Sequence, residues 1–345
     1  MIWSRDCRQT IELASLLILL PLVLSAQDTC GEPVQPARSS QFQNRFGPDT
    51  SLAAADKLFT GGSYTDALAA YREAAKSGDG PAMRRLGAFY ETGTAVKSDY
   101  AEAMRWYKKA AESGDSVALT NIGRLYDNGR GVPQNHSEAL NWYRKGAAAG
   151  DPKAIDNVGV MYALGEGVQL DYSQAMVWFQ KAAEAGDADA MNNIGAFHEK
   201  GQGVLINYAE AANWYRKAAD RGLPLAMSSL GYLYENGMGL AKDPSEAVTW
   251  YRKAAKLGDT AGMNGLGGLY QNGAGLPRSF ADALCWYKKA AAAGDTAAMN
   301  NLASLYETGT GVPRDNAEAL RWYRKAAAAG NQHAREYLAQ LGVPL

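Results

Sequence analysis

Trp106-Tyr107-Lys108-Lys109-Ala110-Ala111 is the stretch that decides how this chain folds. It returns as Trp142-Tyr143-Arg144-Lys145, Trp178-Phe179-Gln180-Lys181 and Trp214-Tyr215-Arg216-Lys217, each time 36 residues on, and further copies begin at Trp250, Trp286 and Trp322. A motif at one fixed interval over such a length marks a stacked array, in which each unit buries its apolar face against its neighbours. Val and Ile are sparse beside Leu and Ala, which favours closely packed helices over sheet. The expected class is all-α: an α/α superhelical solenoid of antiparallel helix pairs in 36-residue repeats.

Seven units begin at Pro81, Val117, Lys153, Asp189, Leu225, Ala261 and Ala297, none with an insertion, and together they fill 81–332. In the first, Met83, Leu86, Gly87 and Tyr90 form an apolar stripe at helical spacing that ends at the loop Gly93-Thr94-Ala95-Val96. This is helix A. Asp99 with Glu102 three residues on reads as the capping box of a second helix, B, and recurs as Asn135/Glu138, Asp171/Gln174, Asn207/Glu210 and Asp315/Glu318. Gly114 and its equivalents up to Gly330 stand where a left-handed residue ends helix B. Glycines inside helix A, from Gly87 to Gly267, each cost about 1 kcal/mol relative to alanine, so a close helix contact should offset them. Ala103, Ala139, Ala175, Ala211 and Ala247 are the expected opposite surfaces, and the Trp and Tyr of each helix B are expected to pack between hairpins.

The flanks differ. Residues 51–80 read as a capping helical hairpin with a short turn at Gly61-Gly62-Ser63, and 333–345 as a C-terminal capping helix ending near Leu341. Residues 27–50 are rich in Gln, Ser, Pro and Gly and read as a flexible linker. Arg5 and Arg8 precede an uncharged stretch over Leu13–Ala26, too short to span a bilayer comfortably, so 1–26 is expected to be a signal peptide. Leu24, Asp6 and Glu12 fit that reading less well and keep an N-terminal membrane anchor open. The expected destination is the periplasm or the exterior, with no membrane span left after cleavage. Cys30 and Cys285 would be the one cysteine pair remaining, although Cys285 occupies a variable position that reads as exposed.

These residues resemble the Sel-one-like repeat family, a branch of the tetratricopeptide-like solenoids. The likeness rests on Ala190-Met191, Asn193-Ile194-Gly195 and Phe197, on the Gly-x-Gly-Val loops at 129–132 and 201–204, and on Trp322-Tyr323-Arg324-Lys325-Ala326-Ala327. The resemblance implies an adaptor that holds protein complexes together, in exported bacterial members for envelope signalling, assembly or host contact. A cysteine-rich subgroup associated with β-lactam binding carries a cysteine pair per repeat, and this chain does not.

Chemistry is sparsely represented. His136, His198 and His333 lie nearly two and almost four repeats apart, so no histidine-built metal site or Ser/His relay is expected, and His136 and His198 read as substitutions in aromatic slots. No catalytic residue and no cofactor is assigned, and the chain is not expected to be an enzyme. Thirty-five basic against thirty-six acidic side chains create no field for a polyanion, which disfavours nucleic acid.

The more informative row is on helix A: Arg85, Asn121, Asn157, Asn193, Ser229, Gly265 and Asn301. Carboxamides in a column can hydrogen-bond an extended peptide without regard to its sequence; equally, each can satisfy a carbonyl of a neighbouring loop. One turn on, Arg124, Val160, Ala196 and Tyr232 vary from unit to unit, which is where partner specificity would be written. The expected function is an exported scaffold binding a protein or peptide along its concave helix A surface, with Arg85, Asn121, Arg124, Asn157, Asn193, Ser229, Tyr232 and Asn301 as candidate contacts. The alternatives are a β-lactam-binding or hydrolytic envelope protein, or a solenoid that binds glycan through its repeated aromatic and cationic residues.

Overall fold

The computed structural model of the protein describes residues 50–343. The expected signal peptide, nearly all of the linker, and Cys7 and Cys30 lie outside the described residues. Those described form 17 helices and no strand, paired as antiparallel hairpins in a solenoid-like arrangement. They divide into two compact units, one running to Asp115 and the other from Ser116 onward. None of their helices is long and apolar enough to cross a membrane.

The first unit holds α1 (Thr50–Thr60), α2 (Tyr64–Lys76), α3 (Gly80–Thr92) and α4 (Tyr100–Glu112). Its core joins Leu68, Tyr71, Leu86 and Phe89, and the Tyr71 hydroxyl donates to Asp56 at 2.5 Å. In the second unit α5 (Ser116–Asn128), α7 (Pro152–Leu164), α9 (Ala188–Lys200), α11 (Pro224–Asn236), α13 (Thr260–Asn272) and α15 (Thr296–Thr308) are helices A. Their partners B are α6 (His136–Ala148), α8 (Tyr172–Glu184), α10 (Tyr208–Asp220), α12 (Pro244–Lys256), α14 (Phe280–Ala292) and α16 (Asn316–Ala328), and α17 (Gln332–Gln340) closes the stack.

The expected caps form, but the reciprocal half of the capping box does not. Asp99, Asn135, Asp171, Asn207 and Asp315 each accept a backbone N–H three residues on, at 2.9–3.0 Å. The backbone N–H of each cap is already committed to a carbonyl near the end of helix A, as in Asn135 to Tyr126 at 2.9 Å and Asn207 to His198 at 2.8 Å. The N3 carboxylate is therefore released for other partners: Glu138 accepts from the Trp142 indole at 2.8 Å, and Glu102 pairs with Arg105 at 2.6 Å. Gly114, Gly150, Gly186, Gly222, Gly258, Gly294 and Gly330 all have φ between 82° and 98°, the left-handed conformation anticipated at the end of helix B.

The helix A glycines do meet a close neighbour, although it is not mainly the expected alanine. A Cβ on Gly87 would stand 2.5 Å from the Tyr107 ring, and one on Gly195 2.8 Å from the Tyr215 ring. The glycine exists because the second aromatic of the motif lies flat across helix A of its own hairpin. Tryptophan and tyrosine thus divide the labour that the sequence reading assigned to both. Tyr107, Tyr143 and Tyr215 are buried within hairpins, whereas Trp250 joins Ala211, Ala212 and Tyr215 of the preceding repeat, and Trp286 joins Val248 and Tyr251. The lysine three residues after each motif tryptophan, from Trp106 to Trp322, lies over its ring, between 3.7 Å for Lys217 and 4.8 Å for Lys289, each contact worth about 0.5–1 kcal/mol.

Cys285, read as exposed from its variable position, is half-buried on α14 and disulfide-bonded, with its partner outside the described residues.

Candidate functional site

Helices A of successive repeats touch one another directly in the second unit, α5 with α7 and α11 with α13, which places them on the inner side of that stack. The aspartate capping each helix A helps to join them. Asp151, at the start of α7, accepts a hydrogen bond from Thr120 of α5, and Asp259 of α13 accepts one from Ser228 of α11. Within the first unit, Arg84 places Nε 2.9 Å from Asp115.

The Asn row falls on this face, and two of its members are engaged internally. Asn193 donates through Nδ2 to Asp156 at 2.9 Å, and Asn301 to Asn264 at 2.9 Å, in each case reaching back to helix A of the preceding repeat. The acceptor is a side chain of the neighbouring helix, not the loop carbonyl that sequence reasoning offered. Ser229 hydrogen-bonds the Tyr215 hydroxyl, and Arg85 lies 3.5 Å from Asp56. Asn121 and Asn157 are half-buried on the same face.

Around Asn193 the face is strongly polar. Lys153 places Nζ 3.0 Å from Asp156 and 2.8 Å from Asp189, while its side chain keeps about a third of its exposure. Burial alone would lower its pKa, but the carboxylates of Asp156 and Asp189 outweigh this and raise it. Asp156 is pushed up by burial, with Lys153 opposing. Asp187, the N-cap of α9, is pushed up to about 7, first by burial and then by the charge of Asp156.

One turn further along, the variable row is buried to the same degree as the Asn row except at Tyr232. Arg124, Val160, Gly268 and Ser304 are half-buried, Ala196 is buried, and Tyr232 is 47% exposed. Several of the positions that recur are spent on capping and packing, and among those that differ Tyr232 is the exposed one. Sequence reasoning missed the network linking the two helices of a hairpin: Tyr107 donates to Glu91 at 2.6 Å, Tyr251 to Glu235 at 2.8 Å and Tyr323 to Glu307 at 2.9 Å. The constant separation of 16 residues was its readable signal.

Seven consecutive segments match the model of the Sel1 repeat, at residues 80–115, 116–151, 152–187, 188–223, 224–259, 260–295 and 296–331. Among solved structures, the chain is similar to c5321, described as a protective antigen of uropathogenic Escherichia coli displaying an SLR fold, at 36% identity and a TM-score of 0.61. That match covers 79% of this chain and 59% of the other, so the chain spans somewhat under two thirds of that relative. A Sel1 repeat protein from Oxalobacter formigenes is 33% identical with a TM-score of 0.62, over 81% of this chain and 99% of that one. Yeast Tom70 shares the helical-repeat fold alone, at 14% identity and a TM-score of 0.50, over 97% of this chain and 70% of Tom70. No curated protein matches.

Proposed function

The chain belongs to the Sel1 repeat family, and from that premise we propose that it is an exported scaffold holding a protein or peptide partner along the inner face built by its helices A. The repeat fold is consistent with a protein-binding role in general. The observation that carries the finer reading is the exposure of Tyr232 in the variable row on that face, where Ala196 and Gly268 occupy the neighbouring repeats. A tyrosine so placed offers a large apolar body and a hydroxyl at low entropic cost, the combination that anchors protein interfaces.

Asn121 and Asn157 supply carboxamides beside that row, and Arg124 a planar donor that suits a carboxylate. Asn193 and Asn301 keep that face in shape through their bonds to the preceding helix. The proposal places the protein in the periplasm or outside the cell, following the apolar segment over Leu13–Ala26. A glycan-binding role draws less support, because each repeat's tryptophan ring already carries a lysine, as with Lys217 at 3.7 Å.

The test is affinity capture from envelope extract with the wild-type chain and a chain carrying Arg124→Ala and Tyr232→Ala. The expected result is a defined partner recovered by the first and lost by the second, with both chains melting alike. Equal recovery by both would remove the inner face from the account.

A further inference from the structure

Asp127, His136 and Glu166 meet at one point although they come from three different elements. Asp127 lies near the end of α5, His136 is the first residue of α6, and Glu166 sits in the loop after α7. One ligand atom from each lies within 4.8 Å of the others, the one such grouping of three among the described residues. His136 Nδ1 is 2.7 Å from Asp127 Oδ1 and 3.8 Å from Glu166 Oε2. We propose that these three side chains bind a divalent transition-metal ion across the joint between the second and third repeats.

Each of the three departs from what the other repeats carry at its position. Where Asp127 stands, most repeats have a longer residue, such as Glu91, Glu199 or Glu307; where His136 stands, Tyr100, Tyr172 and Tyr208 recur; and Glu166 replaces Thr94, Gln202 and Thr310. Three residues that no other repeat carries at their positions fall within one coordination sphere. They also weaken a contact that every other repeat except the third keeps. Tyr143 lies 3.5 Å from Asp127, against 2.6 Å for Tyr107 and Glu91, because the shorter carboxylate has turned toward the imidazole.

The donor set selects the class of ion. One imidazole with two carboxylates suits zinc, manganese, iron or cobalt, whereas calcium and magnesium prefer oxygen alone. Zinc bonds of about 2.0–2.2 Å span ligand edges of roughly 3–3.5 Å, so the 2.7 Å contact would open and the 3.8 Å contact close by less than 1 Å each. Binding through Nδ1 requires the imidazole to carry its proton on Nε2, so the His136–Asp127 hydrogen bond gives way to a metal bond from each side chain. The positive end of α6 opposes a cation here, but two full negative charges outweigh a helix end equivalent to about half a charge. Three protein ligands leave room for water, and His136 and Glu166 each keep 28% of their side-chain exposure.

The joint is stiff enough to hold such a site. A Cβ on Gly167 would stand 2.5 Å from the His136 carbonyl, so the loop bearing Glu166 packs directly onto the first turn of α6. A bound ion would link one repeat to the next and stabilise both.

Calorimetric titration of the untagged protein with zinc, paired with thermal melts, tests the proposal. Two variants are matched to the repeat pattern so that folding is preserved: His136→Tyr, the residue of the neighbouring repeats, and Glu166→Gln, the residue of the fourth. The expected result is one zinc per chain, a melting temperature raised by several degrees, and at least a tenfold loss of affinity in each variant. Absence of zinc binding at 100-fold excess would overturn the proposal. So would equal binding by wild type and variants, or a preference for calcium or magnesium over zinc.

Discussion

The hydroxyl of Tyr251 on α12 donates to the Glu235 carboxylate on α11 at 2.8 Å, and where Phe179 removes that hydroxyl from the third repeat, Ala163 removes the acceptor as well. The chain has lost the two halves of the pair together. Burial and then the Glu235 charge hold the Tyr251 phenol well above its usual range, so it remains a donor at physiological pH. Tyr251→Phe alone should cost about 1–2 kcal/mol, because the carboxylate keeps its desolvation without its partner. Adding Glu235→Ala should recover a large part of that loss. Chemical denaturation of the two single variants and the double variant measures the coupling, and simple additivity would mean that the bond contributes little.

Gly239 separates steric from conformational cost. Its φ is 67°, and a Cβ there would overlap the backbone of Tyr208 and Ala209, because this loop seals the fifth repeat onto the fourth. Gly258 has a similar φ of 88° but nothing within 4 Å of the Cβ position. Gly239→Ala is expected to cost about 2–4 kcal/mol, the sum of a left-handed alanine and a backbone clash, and Gly258→Ala about 1–2 kcal/mol. Thermal melts of the two variants would rank them. A reversed order would contradict the packing of the loop on α10.

Asp187 links stability to pH. Its folded pKa is pushed up to about 7 from an unfolded value near 3.8, so between those values the folded chain holds a proton that the unfolded chain has lost. This contribution is complete below about pH 4 and disappears as pH rises through 7. Asp187→Asn keeps a capping oxygen and removes the charge, so it should stabilise the protein at pH 8 by on the order of 1–2 kcal/mol, after allowing for solvent screening, and have little effect at pH 4. Melting curves at the two pH values check the sign.

The fold was legible because its determinants are local and repeat seven times. The 36-residue interval, the caps from Asp99 to Asp315 and the glycines ending each helix B need no knowledge of distant contacts. The partner of each helix A glycine was less accessible. Gly87 announced a close approach, but both Ala103 and Tyr107 were available on helix B, and only the crossing geometry puts the Tyr107 ring over it. The Asn row shows the same limit at the candidate site: the sequence marks a carboxamide column, and the packing of successive helices A is what turns Asn193 back to Asp156. The cluster at His136 is not legible from the spacing of the histidines, because its neighbours are carboxylates from the same repeat and the next.

A photocrosslinking amino acid at position 232, expressed in the source organism, tests the central claim most directly, with a second chain carrying it at Asn213 on the exposed side of α10. The account predicts a discrete protein adduct from position 232 and none from position 213. Adducts confined to position 213 would contradict it.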